Sequence, residues 1–163
     1  MVLKTTALAG IIVLGLFFLF QDSHQTIKPI QLEKLNSFIK QEEIQEPNII
    51  KLNPFKYYIF SEKTSTVYIY EGNENSHTTR SANRNGVVFG GLEKGSFGMI
   101  IKNKNILKDA HQYKVVIDGE SKSYTYNKEK FLVVKDSKIW NPNPEIKIVF
   151  LDNKNKKILE ETF

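Results

Sequence analysis

Residues Thr79 to Lys102 read TRSANRNGVVFGGLEKGSFGMIIK and contain five of the nine glycines in this 163-residue chain. Asn85-Gly86 predicts a tight turn, because glycine adopts a positive φ without steric cost. Val87 to Phe89 follows as a short strand, Gly90-Gly91 predicts a bend, and a second turn leads into another strand that begins at Phe97. The pattern therefore predicts two strands that meet at a corner filled by apolar side chains.

The spacing within this motif resembles the signature of the prealbumin-like β-sandwiches, which include the Cna B-type and carboxypeptidase regulatory-like domains. In that signature a Thr, a polar turn and a Gly precede a short strand, a Leu, a Gly turn and an aromatic residue. The matching residues are Thr79, Asn85, Gly86, Phe89, Leu92, Gly95 and Phe97. The resemblance covers residues 79–102 and implies a sandwich in which Leu92 and Phe97 fill the space between two sheets.

The same resemblance bears on function. Cna B-type domains are commonly stalk or spacer modules of surface adhesins and pili, and some carry a Lys–Asn isopeptide bond that a strand carboxylate assists. The corresponding strand here, Phe97 to Lys102, has no carboxylate, and the chain has neither a sortase motif nor tandem repeats. The resemblance thus implies a surface module, and we expect no isopeptide bond in it.

Other β-rich runs predict further strands. They cover residues 57–62, 66–70, 113–117, 120–126, 131–134, 145–151 and 157–162. Asp118-Gly119 predicts a type I′ hairpin that sets Tyr113 opposite Tyr124. Because seven to nine short strands follow one another without an intervening helix, we predict an all-β domain over residues 56–163, a single immunoglobulin-like or prealbumin-like sandwich.

The N-terminus carries an apolar run over residues 5–20, TTALAGIIVLGLFFLF. As a helix this run is about 24 Å long, slightly short of a hydrocarbon core of roughly 30 Å. The following Gln21-Asp22-Ser23 lacks a small-x-small cleavage site, so we predict that residues 1–20 form a single-pass signal-anchor. Lys4 then places the N-terminus in the cytoplasm and residues 21–163 outside, or in the secreted fraction if the run is cleaved.

Residues 21–55 read as a short stalk with one amphipathic helix of about fifteen residues between Pro29 and Pro47. The helix could dock on the domain, pair with another chain or lie on the membrane surface. Docking is favoured, because the apolar stripe is too short for a stable coiled coil. Pro47 to Pro54 reads as an extended connector or an edge strand.

Composition excludes several functions. The chain has no cysteine, which rules out disulfides, thiol nucleophiles and Cys-type zinc sites. After residue 20 it has 22 basic and 18 acidic residues, a mild and dispersed excess of four positive charges. We therefore expect no nucleic-acid partner.

Four residues are candidates for binding. His77, Arg80 and Arg84 lie in the polar segment 71–85, and two guanidinium groups would suit a carboxylate or phosphate. A solvated loop is the alternative. Trp140, beside two Asn-Pro pairs, could stack on a sugar or close the end of the sandwich.

Catalytic chemistry finds little support. The three histidines, His24, His77 and His111, have no partner at a metal-ligand spacing, and no nucleophile-elbow sequence is present. We expect no enzyme, no cofactor and no metal. The predicted function is a membrane-tethered, extracytoplasmic binding or interaction module for a protein or an anionic envelope polymer. The alternatives are an immunity protein that blocks a toxin or phage component, and a glycan-recognising accessory of a secreted enzyme.

The first prediction concerns the anchor. Residues 1–20 should remain on the mature protein, because the sequence after them offers no cleavage site. Intact-mass measurement of the membrane-extracted protein should give the mass of the full chain. A mature N-terminus between residues 20 and 28 would contradict the anchor.

Overall fold

The computed structural model describes residues 29–72, 76–78, 81–93, 95–139 and 144–163, with the backbone alone at 76–78. Within these residues the chain is mostly β, with two short helices and twelve strands in three antiparallel sheets. The helices are α1 (Leu32–Gln41) and α2 (Lys104–Asp109). The strands are β1 (Asn48–Asn53), β2 (Lys56–Ser61), β3 (Thr66–Glu71), β4 (Ser76–Thr78), β5 (Ala82–Arg84), β6 (Val87–Glu93), β7 (Ser96–Ile101), β8 (Gln112–Ile117), β9 (Glu120–Thr125), β10 (Phe131–Lys135), β11 (Ile146–Leu151) and β12 (Lys157–Thr162).

The three sheets stack in layers. The helix-side sheet has the strand order β1-β2-β3-β4, the middle sheet β10-β7-β6-β5 and the far sheet β12-β11-β8-β9. One buried cluster lies between α1 and the helix-side sheet, a second between the helix-side and middle sheets, and a third between the middle and far sheets. The layers therefore follow the order α1, helix-side sheet, middle sheet, far sheet.

The middle sheet is buried on both faces. Phe97, Met99 and Ile101 point into the core shared with the far sheet, because alternate residues of a strand lie on the same face. Val88 on β6 and Ile100 on β7 lie on the opposite face of the sheet and point into the core shared with the helix-side sheet. Strands β6 and β7 thus supply side chains to two cores at once, which is why their sequence is almost continuously apolar.

Glycines let the helix-side sheet approach the middle sheet closely. A Cβ atom on Gly98 would lie 2.8 Å from Val67 Cγ1 and 2.9 Å from Phe60 Cε1, and one on Gly91 would lie 2.7 Å from Tyr58 Cε1. Contacts this short would force the neighbouring side chains to move. The rings of the helix-side sheet therefore pack directly on the backbone of the middle sheet.

The β6–β7 hairpin is irregular where the glycines predict a bend. Gly91 has a φ of +65°, and the register between the two strands shifts after Gly90. Leu92 is partly buried and Phe97 is fully buried, both against the core between the middle and far sheets. Both residues thus pack between two sheets, as the motif implied.

Each of the nine predicted β-rich runs is a strand, but the architecture has three sheets where one two-sheet sandwich was expected. The additional strands are β1, β4 and β5. The last two lie in the polar segment 71–85, which the sequence predicted as a loop. Residues 82–84 are exposed on an edge strand, so no alternation of apolar and polar residues marks them.

The segment before residue 56 packs on the domain where the structure describes it. Helix α1 buries Leu35 and Phe38, and the Phe38 ring lies 5.1 Å from the Tyr70 ring. Strand β1 pairs antiparallel with β2. The helix therefore docks, as favoured from its short apolar stripe, and residues 48–53 form an edge strand. Helix α1 has ten residues, fewer than the fifteen predicted.

Helix α2 lies between β7 and β8, where the sequence predicted strands that follow one another without an intervening helix. The side-chain oxygen of Asn103 accepts hydrogen bonds from the backbone N–H groups of Asn105 at 3.0 Å and Ile106 at 3.2 Å. This N-cap stabilises a helix too short to form by propensity alone.

The predicted hairpin at Asp118-Gly119 is confirmed. Both residues have a positive φ, 49° and 85°, as a type I′ turn requires. Tyr113 and Tyr124 face each other across β8 and β9, with ring centroids 5.0 Å apart. Burial, with a smaller contribution from Tyr124, raises the pKa of Tyr113 to about 12.

No helix in the described ranges is long and apolar enough to cross a bilayer. The predicted anchor, residues 5–20, lies outside those ranges.

Replacing Gly98 with Ala should lower the free energy of unfolding by about 1 to 3 kcal/mol, because the new methyl group must displace packed side chains. The double variant Gly98→Ala with Val67→Ala should lose less than the two single variants together, since Val67 contributes the nearest atom. Urea denaturation would measure each midpoint, with the exposed Ser123→Ala as control. Strictly additive losses would contradict the close contact.

Candidate functional site

Of the four predicted binding residues, the structure describes only the side chain of Arg84. His77 lies on β4, where the backbone alone is described, and Arg80 and Trp140 lie outside the described residues. The structure therefore does not test whether these residues form one site.

Arg84 is exposed at the end of β5. Its guanidinium lies 5.7 Å from the centroid of the Phe163 ring, which stacks on Phe89 at 4.7 Å. A guanidinium held over a ring in this way keeps N–H donors in its own plane. The Arg84 guanidinium therefore contacts the ring and keeps N–H donors that can bind an anion.

A polar cleft lies where the ends of the helix-side and middle sheets meet. Its volume is about 520 Å³. The cleft is lined by Leu52, Asn53, Lys56, Glu71, Glu93, Gly95, Ser96 and Lys135. Gly95 lies in the turn between β6 and β7, and the other residues come from the ends of β1, β2, β3, β6, β7 and β10. The cleft therefore exists only because the two sheets pack together.

Lys56 is the central charged group of the cleft. It is 7% exposed, and its Nζ lies 3.2 Å from a Glu71 carboxylate oxygen and 3.8 Å from one of Glu93. Glu71 is its cross-strand partner on β3, whereas Glu93 belongs to the middle sheet. One buried ammonium therefore joins the two sheets through two carboxylates.

Ser96, which lines the cleft, belongs to a hydroxyl network with the buried Tyr58. The Tyr58 hydroxyl lies 2.9 Å from the Gly91 carbonyl oxygen and 2.7 Å from Ser96 Oγ. Because a carbonyl only accepts and a phenol has one proton, both contacts are satisfied when Tyr58 donates to Gly91 and Ser96 donates to Tyr58. Burial raises the pKa of Tyr58 well above its usual value, so the phenol keeps its proton. Ser96 is therefore not paired with a base in this contact.

The rim of the cleft presents groups of both charges. Lys135 Nζ donates to the Leu52 carbonyl at 3.3 Å. Asn53 accepts from the Phe55 N–H at 2.8 Å through Oδ1, which leaves its amide N–H₂ available. The Glu71 and Glu93 side chains are each about one-third exposed. A ligand with hydroxyl, amide or paired charged groups would find complementary partners here.

Metal binding is not supported by the described part of the chain. No group of three or more His, Asp or Glu residues there could hold a metal ion.

The chain matches no family model, no curated protein and no solved structure.

Sequence reasoning did not find the cleft. The nearest signal in the sequence is the hairpin formed by residues 57–62 and 66–70, because its turn, at residues 62–65 in the structure, sets Lys56 opposite Glu71. No sequence pattern brings Glu93 or Ser96 to the same place, since both come from another sheet.

Replacing Lys56 with Met should cost roughly 1 to 3 kcal/mol of stability, because two neighbouring carboxylates lose their shared cation. The control is Lys138→Met, since Lys138 pairs with Glu120 on the exposed surface. That change should cost under about 0.5 kcal/mol. Thermal and urea unfolding of both variants would measure the difference, and equal losses would show that Lys56 does not join the sheets.

Proposed function

We propose that this chain is a membrane-tethered, extracytoplasmic binding module without enzymatic activity, which presents its β domain to a protein or an anionic envelope polymer. The domain would bind through the polar cleft or through exposed groups elsewhere on its surface. Its N-terminal residues 5–20 would hold it at the cell membrane.

The observation that carries a binding role is the pairing within the cleft. Lys56 is held between two carboxylates, and the Tyr58 and Ser96 hydroxyls are committed to hydrogen bonds. A nucleophile needs a neighbouring base to remove its proton, and a phenol that keeps its proton does not act as one. A cleft whose inner groups are satisfied, with donors and acceptors left at the rim, supports ligand binding rather than catalysis.

Attachment to the membrane is supported by the sequence of residues 5–20, which are uncharged and strongly apolar. An anionic partner is supported by Arg84, whose exposed guanidinium lies near the Phe163 ring, at the opposite end of β6 from the cleft. His77 and Arg80 would contribute to the same contact if they lie beside it.

A glycan partner is the second candidate. The free amide N–H₂ of Asn53 and the partly exposed carboxylates of Glu71 and Glu93 suit the hydroxyl groups of a sugar. In that case the chain would be an accessory that recognises glycan for a secreted enzyme.

We also propose that the fold is related to the prealbumin-like sandwiches. Leu92 and Phe97 support this relationship, because both pack between two sheets as the motif requires. The middle and far sheets would correspond to the sandwich, and the helix-side sheet would be an addition to it.

A ligand screen by thermal unfolding tests the binding role. The full chain in a non-ionic detergent would be heated with soluble glycan fragments, short peptides and polyol phosphates. A ligand of the cleft should raise the melting temperature of the wild type and have less effect on Lys135→Gln, because Lys135 lines the cleft. Lys138→Gln, which removes the same charge outside the cleft, is the matched control.

Two results would count against the proposal. Equal shifts in both variants and the wild type would place binding outside the cleft. Chemical conversion of a panel member by the wild type, lost in Ser96→Ala, would show that the protein is an enzyme.

A further inference from the structure

Lysines from three separate segments gather at one end of the molecule. The segments are residues 102–109, which include α2, residues 126–130 between β9 and β10, and residues 152–157 at the β11–β12 turn. Together they contain eight lysines and three carboxylates, a net charge of +5, as large as the formal charge of the whole chain. We call this surface the lysine-rich end.

Backbone and side-chain contacts bring the three segments together. Lys128 Nζ donates to the carbonyl oxygen of Lys108, which ties the second segment to α2. The N–H of Tyr126 donates to the His111 carbonyl at 2.9 Å, and the N–H of His111 donates to the Leu151 carbonyl at 2.9 Å. The end of α2 therefore lies between the other two segments.

Most of this charge is not neutralised by neighbours. Within the described residues Lys104, Lys108, Lys154 and Lys156 are exposed and form no ion pair, whereas Lys130 and Lys157 pair with glutamates. The Asp152 carboxylate accepts hydrogen bonds from backbone N–H groups of its own turn, at 2.8 Å each. These bonds, chiefly that from the Lys156 N–H, lower the pKa of Asp152, and the charges of Lys156 and Lys154 lower it further. Asp152 thus offsets part of the charge of these two lysines, and its carboxylate is already counted in the net charge of +5.

The lysine-rich end lies opposite the point where the described chain begins. The N–H of Ile30 donates to the Pro54 carbonyl at 2.9 Å, at the β1–β2 turn. Lys102 Nζ donates to the Glu62 carbonyl at 2.6 Å and to Ser65 Oγ at 2.7 Å, at the β2–β3 turn. The six residues of β2 separate these turns by about 20 Å. A chain tethered through residue 29 would present its lysines away from the tether.

The chemistry of this surface favours one class of partner. The large hydrophobic side chains exposed in the described structure are Leu32, Ile49 and Phe55, and none belongs to the lysine-rich end. A protein partner usually requires aromatic, aliphatic or arginine anchors, and single-stranded nucleic acid requires exposed rings. Flexible lysines act as separate point charges, which suit a partner with repeating negative charge and no fixed geometry.

We propose that the lysine-rich end binds a linear phosphate-bearing polyanion. This binding deepens the proposed function, since it gives the surface and the chemical class of the partner. That the polymer lies outside the membrane rests on the proposed function. The contact itself is electrostatic and independent of the cleft.

Binding of long-chain inorganic polyphosphate to the full chain in a non-ionic detergent tests the proposal. The test variant combines Lys104→Gln, Lys108→Gln, Lys154→Gln and Lys156→Gln. The matched control combines Lys40→Gln, Lys51→Gln, Lys114→Gln and Lys122→Gln, which remove the same charge from other surfaces. The dissociation constant of each would be measured by fluorescence anisotropy at several salt concentrations.

The test variant should bind at least about tenfold more weakly at low salt. The slope of log affinity against log salt should become shallower by about 3, which is roughly 0.7 for each of the four lysines, as for a single-stranded polyanion. The control should stay within about threefold of the wild type. Lys135→Gln in the cleft should leave polyphosphate binding unchanged, so a ligand of the cleft and a ligand of the lysines can be told apart.

Several outcomes would overturn the proposal. The first is an equal loss of polyphosphate affinity in the two quadruple variants. The second is that the wild type does not bind polyphosphate at low salt. The third is that the wild type binds anionic vesicles or duplex DNA more tightly than polyphosphate at equal phosphate concentration. If the test variant melts below the control, the pair Lys104→Gln and Lys154→Gln replaces it, and unchanged affinity in that pair would equally overturn the assignment.

Discussion

Contact between ring and backbone is the constraint on which this structure depends. Tyr58, Phe60 and Val67 of the helix-side sheet occupy the space that side chains on Gly91 and Gly98 would fill. Because the middle sheet has no side chains at these positions, the helix-side sheet packs closely on one of its faces. Side chains on its other face form the core shared with the far sheet, so one layer contributes to two cores. A larger residue at these positions would separate the first two sheets rather than disturb a single contact.

The polar cleft is the end of the same interface. Tyr58 crosses it with its hydroxyl to reach Gly91 and Ser96, and Lys56 crosses it with its ammonium to reach Glu93. Apolar packing in the centre of the interface thus gives way to hydrogen bonds and ion pairs where water can enter. Polar side chains near such a boundary form hydrogen bonds and ion pairs with the protein on one side, and on the other side they can bind a ligand.

Local features could be predicted from the sequence, and distant associations could not. Strand alternation at Phe97, Met99 and Ile101 and the Asp118-Gly119 turn follow from backbone geometry within a few residues. The number of sheets depends on which faces are buried, and a strand buried on both faces, such as β7, does not specify its partners. Glu93 and Ser96 join Lys56 only through sheet stacking, so the candidate site was not visible before the layers were known.

The docked helix α1 has a mechanical consequence. If residue 29 is held at a membrane while a partner pulls on the opposite end, the load enters beside the β1–β2 turn, where Ile30 is bonded to Pro54. From there the chain leads through α1 to β1 of the helix-side sheet, whose ladder bonds would share such a shear force. Leu35 and Phe38 would have to leave their pocket before the sheet itself carried the load. The helix would therefore yield first, as an extensible link between the tether and the sheets.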